Sequence, residues 1–162
     1  MLKTTLVVLV VAIFGVGIFW IANLQKPESS NIHAQLQSLP DRSFVFIKLG
    51  ENKMQVEVVN TPKSITKGLS VREEIGCDGM LFVLPYSDIH GFWMLDMQFD
   101  LDIIWIADGR VVDFELNASK PSEGSRGLLI FQPIRAVNLV LETEANFIGQ
   151  HKIKIGDELL LI

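Results

Sequence analysis

The stretch His90-Gly91-Phe92-Trp93-Met94-Leu95-Asp96-Met97-Gln98-Phe99-Asp100-Leu101-Asp102-Ile103-Ile104-Trp105-Ile106 decides the fold class. Every odd position from Trp93 to Trp105 is apolar, while Asp96, Gln98, Asp100 and Asp102 are polar. An extended backbone points successive side chains to opposite faces, whereas apolar positions on a helix recur every three to four residues, so the pattern is that of β-structure. The segment leads into Asp108-Gly109, a pair favoured in two-residue hairpin turns because such turns need positive φ, and Val111 to Leu116 returns as the partner strand.

The same signals extend in both directions. Upstream, Ser43 to Leu49, a break at Gly50-Glu51-Asn52 and the alternating Met54 to Val59 form a second hairpin. Thr61-Pro62 supplies an N-cap and a proline for the first helical position, and Ile65 and Leu69 share one face of a short helix ending near Glu73. After a turn at Gly76 to Gly79, Met80 to Leu84 forms a strand that Pro85 stops. Downstream, Asn117 to Gly127 reads as a long surface loop. Leu128 to Phe131 and Ala136 to Leu141 read as strands, Glu144 to Gln150 as one or two helical turns, and Glu158 to Ile162 as a last strand. Seven or eight short strands with two short helices predict a mainly β fold, an antiparallel jelly-roll-like sandwich or barrel, rather than a crossover α/β sheet. Within the opening stretch, a corner over Asp96 to Leu101 would divide it into two strands.

The N-terminus is of another kind. Leu6 to Ala22 carries no polar side chain, and about 20 apolar residues suffice to cross about 30 Å of hydrocarbon. Small residues at the positions a signal peptidase reads are missing around Trp20-Ile21-Ala22-Asn23, and Lys3 biases the N-terminus toward the cytoplasm. These features predict an uncleaved single-pass anchor over residues 1–23 that holds the chain in the membrane through residues 4–22, with the rest of the protein outside; a cleaved, secreted form is the other reading. Residues 24–41, with two prolines and several Ser, Asn and Gln, read as a flexible tether to a β-rich domain over 42–162. With Lys3 set aside, 13 basic face 19 acidic side chains, and no run of Lys or Arg exists to track a phosphate backbone, so nucleic acid is excluded as a partner. A single cysteine, Cys77, forbids an intramolecular disulfide.

Gly68-Leu69-Ser70-Val71-Arg72-Glu73, Gly79-Met80-Leu81-Phe82, Phe92-Trp93-Met94, Leu101-Asp102-Ile103-Ile104-Trp105-Ile106, Asp108-Gly109, Leu141-Glu142 and Gly149 through Gly156-Asp157 form an ordered series. The series resembles the bacterial and archaeal DUF192 family from about Phe44 onward. Two positions depart from the family block: Met97 stands where threonine is usual, and Asp100 where proline precedes Leu-Asp. The resemblance implies a mostly β, jelly-roll-like fold, often exported or membrane-anchored, with no established activity.

Chemistry is less legible than architecture. Asp96, Asp100 and Asp102 match no calcium loop and read as a solvated face, except Asp102, which is expected to be paired, with Arg72 as the candidate partner. Cys77 with His90 lacks a third orienting group, and His33 and His151 sit too far apart in the chain to suggest a zinc site, so no catalytic, metal or cofactor residue is assigned. Phe92 and Trp93 point to opposite faces, so one of them is expected to be exposed unless both faces are covered. Phe92 and Met94 are expected to pack under the 117–127 loop. The binding-surface candidates are Arg72, Phe92, Trp93, Met94, Asp102 and Glu142. The expected function is an extracytoplasmic binding or accessory module for an envelope protein or glycan. The alternative is a small hydrolase or metal-dependent enzyme with a pocket near Arg72, His90 and Asp102.

Overall fold

The computed structural model describes residues 32–122 and 129–162, so the expected anchor lies outside the described residues. Among the described residues no helix is long and apolar enough to cross a membrane. The element order is α1 (Ile32–Gln37), β1 (Phe44–Leu49), β2 (Asn52–Val59), α2 (Pro62–Lys67), β3 (Gly79–Asp88), β4 (Phe92–Trp93), β5 (Leu101–Ala107), β6 (Arg110–Ala118), β7 (Ile130–Phe131), β8 (Val137–Glu144), α3 (Phe147–His151) and β9 (Leu159–Leu161).

Seven strands form one sheet in the order β6-β5-β8-β3-β2-β1-β9, and β4 pairs with β7 in a separate two-stranded sheet. The large sheet curls until its edges meet at one end, where Val111 N–H donates to the Asp157 carbonyl and Leu159 N–H to the Gly109 carbonyl. The result is a mainly β half-barrel, nearer to the barrel than to the sandwich of the two expected forms. All neighbouring strands run antiparallel except β2 and β3, which are parallel. A parallel pair needs a crossover, and the 60–78 connection carrying α2 supplies it.

Two apolar layers flank the sheet. Val56, Val58, Leu81, Val83, Ile104, Ile106, Leu139 and Leu141 fill the concave side. Val59, Met80, Phe82, Ile103, Trp105 and Val140 point the other way, into a second core that Leu69, Ile75, Met94 and Met97 complete. β3 is therefore buried on both faces along Gly79 to Leu84, which explains its unbroken apolar run.

Local chemistry explains the boundaries. α2 starts at a capping box in which the Thr61 hydroxyl accepts from Ser64 N–H, and the Ser64 hydroxyl accepts from Thr61 N–H. It stops at Lys67 rather than near Glu73, because Gly68 adopts φ 47° and lets the chain pass so close to Phe82 that a Cβ there would lie 3.2 Å from the ring. The β5–β6 turn has φ 50° at Asp108 and 75° at Gly109, as the Asp-Gly pair predicts. Pro85 does not end β3: the pairing with β8 shifts register between Val83 and Asp88, and proline is tolerated at such irregularities. The 24–41 segment is not wholly a tether, since Ile32 and Leu36 of α1 are buried in the concave core. A six-residue helix has too few turns to show a period in the sequence.

Candidate functional site

One cross-strand row carries two carboxylates on the convex face. Glu57 of β2 pairs with Met80 of β3, Met80 with Glu142 of β8, and Glu142 with Ile103 of β5. Two strand spacings put the Glu57 and Glu142 backbones roughly 10 Å apart. Both side chains are buried, at 4% and 5% exposure, but their surroundings differ.

Glu57 is enclosed by two guanidinium groups. Arg72 donates to Oε2 at 2.7 Å and to Oε1 at 3.0 Å, and Arg42 donates to Oε1 at 2.8 Å. Burial opposes the charge on Glu57, yet the hydrogen bonds and charges of Arg72 and then Arg42 outweigh it and hold the carboxyl below its ordinary range. Arg72 is raised in turn, first by its hydrogen bond to Glu57.

Glu142 has no such clamp. Burial alone pushes its carboxyl up to about 8, and among the described residues no donor or cation offsets it. It lies at the floor of a cleft of about 130 Å³. One wall is the last turn of α2 and the following residues to Ser70, and the other is Gly91-Phe92-Trp93. Phe82 and Met97 complete the lining. Phe92 is held edge-on against Phe82 and Trp105, with ring centroids 5.1 and 5.2 Å away, while Trp93 stays 43% exposed at the mouth. Phe92 is thus packed and Trp93 exposed, and both line the cleft.

The sequence candidates separate accordingly. Phe92, Trp93 and Glu142 meet in the cleft; Arg72, Met94 and Asp102 do not line it. Met94 is 3% exposed within the convex core and cannot be a contact surface. Arg72 belongs to Glu57, not to Asp102. Asp102, fully buried, accepts from Asn117 N–H through Oδ1 and from Ile148 N–H through Oδ2, both at 2.9 Å. The second bond caps the first turn of α3, whose own N-cap residue, Asn146, sits at φ 72° and makes no side-chain cap. Asp100 similarly accepts from Lys120 N–H, so two members of the acidic stripe anchor the end of β6 rather than face a ligand.

The residues of the alternative, catalytic reading do not converge either. His90 Nε2 lies 2.9 Å from the Tyr86 carbonyl, while Arg72 and Asp102 have the separate partners just described. Cys77 Sγ donates to the Gly79 carbonyl and lines a second, more polar depression with Asp78, Glu144 and His151. Among the described residues no three His, Cys, Asp or Glu side chains group as metal ligands. Phe92 stacks edge-on against Phe82 and Trp105, while the expected packing of Phe92 and Met94 under the 117–127 loop falls partly on residues 123–127, which lie outside the described residues.

The sequence reading missed the α2 side of the cleft and the Arg42–Glu57 pair. Glu57 alternates with Val56 and Val58 as a solvent-facing strand residue would, and nothing local marks the two arginines that cover it.

The model of the DUF192 family, described as uncharacterized ACR, matches residues 45–161. A crystal structure described as a "putative transcription regulator" from Sinorhizobium meliloti 1021 is 25% identical with a TM-score of 0.67, over 76% of this chain and 97% of that one. A protein of unknown function from Novosphingobium aromaticivorans DSM 12444 is 27% identical with a TM-score of 0.63, over 72% of this chain and 84% of that one. No curated protein matches.

Proposed function

The chain belongs to the DUF192 family, and from that premise we propose that it is an extracytoplasmic binding module, held at the cytoplasmic membrane by residues 4–22, whose ligand enters the cleft between α2 and β4. The observation that carries this reading is Glu142. A buried carboxyl that finds no partner among the described residues costs stability, so its place in the lining of an open cleft is that of a group kept for an incoming molecule. The lining supports it: apolar and aromatic walls with few polar groups are the composition of a small-ligand site. Arg72, His90 and Asp102 pair off elsewhere, which favours binding over the hydrolase alternative. An envelope protein or glycan is the class of partner that the location implies, and Trp93 at the mouth offers the apolar face such partners use.

The test is a fragment screen on the full-length chain in lipid nanodiscs, followed by NMR at the Trp93 indole N–H and the Gly68 and Gly91 amides. Ligands that shift these signals and lose their effect in Trp93→Ala are expected. A broad library that leaves all three unmoved would sink the cleft as a binding site. The topology is checked separately by fusing alkaline phosphatase, active only outside the cytoplasm, after Ile162; an inactive fusion refutes the extracytoplasmic placement.

A further inference from the structure

We infer that the cleft selects a primary alkylammonium group, with Glu142 as its counter-ion and the rings of Phe92 and Trp93 beside its carbon chain. This rests on the cleft being the binding site and names what it takes. Two features on different elements agree. The Glu142 carboxyl, 5% exposed, is an acceptor that meets no N–H donor among the described residues, and an ammonium brings three donors together with the compensating charge. Phe82, Phe92 and Trp93 line the same space, and aromatic faces attract cations.

Among the described residues few other charges lie around Glu142. From α2, Lys67 lines the cleft, and its side chain is exposed at the rim. Within the row, Met80 of β3 and Ile103 of β5 flank Glu142, and the next ionisable groups along it are the clamped Glu57 and, beyond Ile103, Glu115 of β6. From β4 the facing groups are the two aromatics. Binding of a cation therefore requires Glu142 itself to lose its proton. With that carboxyl at about 8, affinity rises with pH, roughly 50-fold between pH 6 and pH 8 if one proton is displaced.

The experiment titrates the full-length chain in nanodiscs with n-butylammonium, n-butanol, tetramethylammonium and Nα-acetyl-lysinamide, reading the Trp93 indole and Gly68 amide signals. Butylammonium is expected to bind with the pH dependence above, butanol and tetramethylammonium at least tenfold more weakly. Glu142→Gln is expected to lose the pH dependence and at least tenfold in affinity. Trp93→Ala, a change at the exposed mouth, is expected to weaken binding with the melting temperature unchanged. Tighter binding of acetyl-lysinamide than of butylammonium assigns the group to a partner's lysine side chain; the reverse assigns it to a free amine. Equal binding of butanol and butylammonium, or undiminished binding in Glu142→Gln, overturns the inference while leaving the cleft a binding site. Silence at the cleft signals with all four probes overturns the inference, and the wider fragment screen then decides whether the cleft itself stands.

Discussion

Glu57 and Glu142 occupy the same face, the same cross-strand row and nearly the same depth, yet one is clamped and the other is bare. The difference lies in what the chain brings over each. Arg72 follows α2 and Arg42 precedes β1, so the segments on both sides of the first hairpin close over Glu57. Among the described residues Glu142 is covered from the sides, by α2 and β4, and the gap between them is the cleft. Depth alone therefore does not mark a structural carboxylate; the partners do.

The two sites also work in opposite senses with pH. For Glu142 the folded carboxyl, at about 8, lies above its ordinary 4.5, so the folded state holds more protons between those values. Its stability is full below about pH 4.5, is lost as pH rises toward 8, and does not return above it. For Glu57 the folded value is depressed, so its contribution is present above the ordinary 4.5 and lost as pH falls through the depressed value.

The largest expected effect breaks the comparison at its bare end. Glu142→Gln removes the ionisation and keeps the shape, so above pH 8 the variant should exceed the parent protein by on the order of 3–5 kcal/mol, and the two should converge near pH 4. Urea unfolding across pH 4–9 measures this, and parallel curves for the two proteins would show that Glu142 is not a desolvated acid. Next, Arg72→Ala leaves Glu57 buried with one partner and should cost about 2–3 kcal/mol at pH 7, read as a lower urea midpoint. That loss should vanish in a Glu57→Gln background if the pair is its source. Arg42→Ala should cost about 1 kcal/mol or less, because its side chain is 37% exposed and water replaces part of the interaction. A cost for Arg42 equal to that for Arg72 would mean that the two halves of the clamp are equivalent. Outside the row, Asp102→Ala should lower stability by about 2 kcal/mol and speed amide exchange at Ile148, since two backbone donors lose their acceptor.

Much of the architecture was legible because it rests on local signals. The strand over Leu101 to Ala107 after a corner, the Asp108-Gly109 turn and the Thr61-Pro62 helix start each follow from backbone preferences that act within a few residues. The parallel β2–β3 pair, the curled single sheet and α1 were not legible, because each depends on which distant segment packs where. Asp102 illustrates both sides: its burial could be anticipated from its place at the start of a strand, but its partners, Asn117 and Ile148, lie 15 and 46 residues away.

The cleft divides in the same way. The sequence by itself determined the strands, the family and the presence of Phe92, Trp93 and Glu142, since alternation and motif spacing are properties of the linear chain. Only the tertiary structure decided which acids are clamped and which is left open. A carboxylate's chemistry is set by burial and by charges within a few ångströms, and β8 meets α2 and β4 only in the folded sheet, where both pack on its convex face.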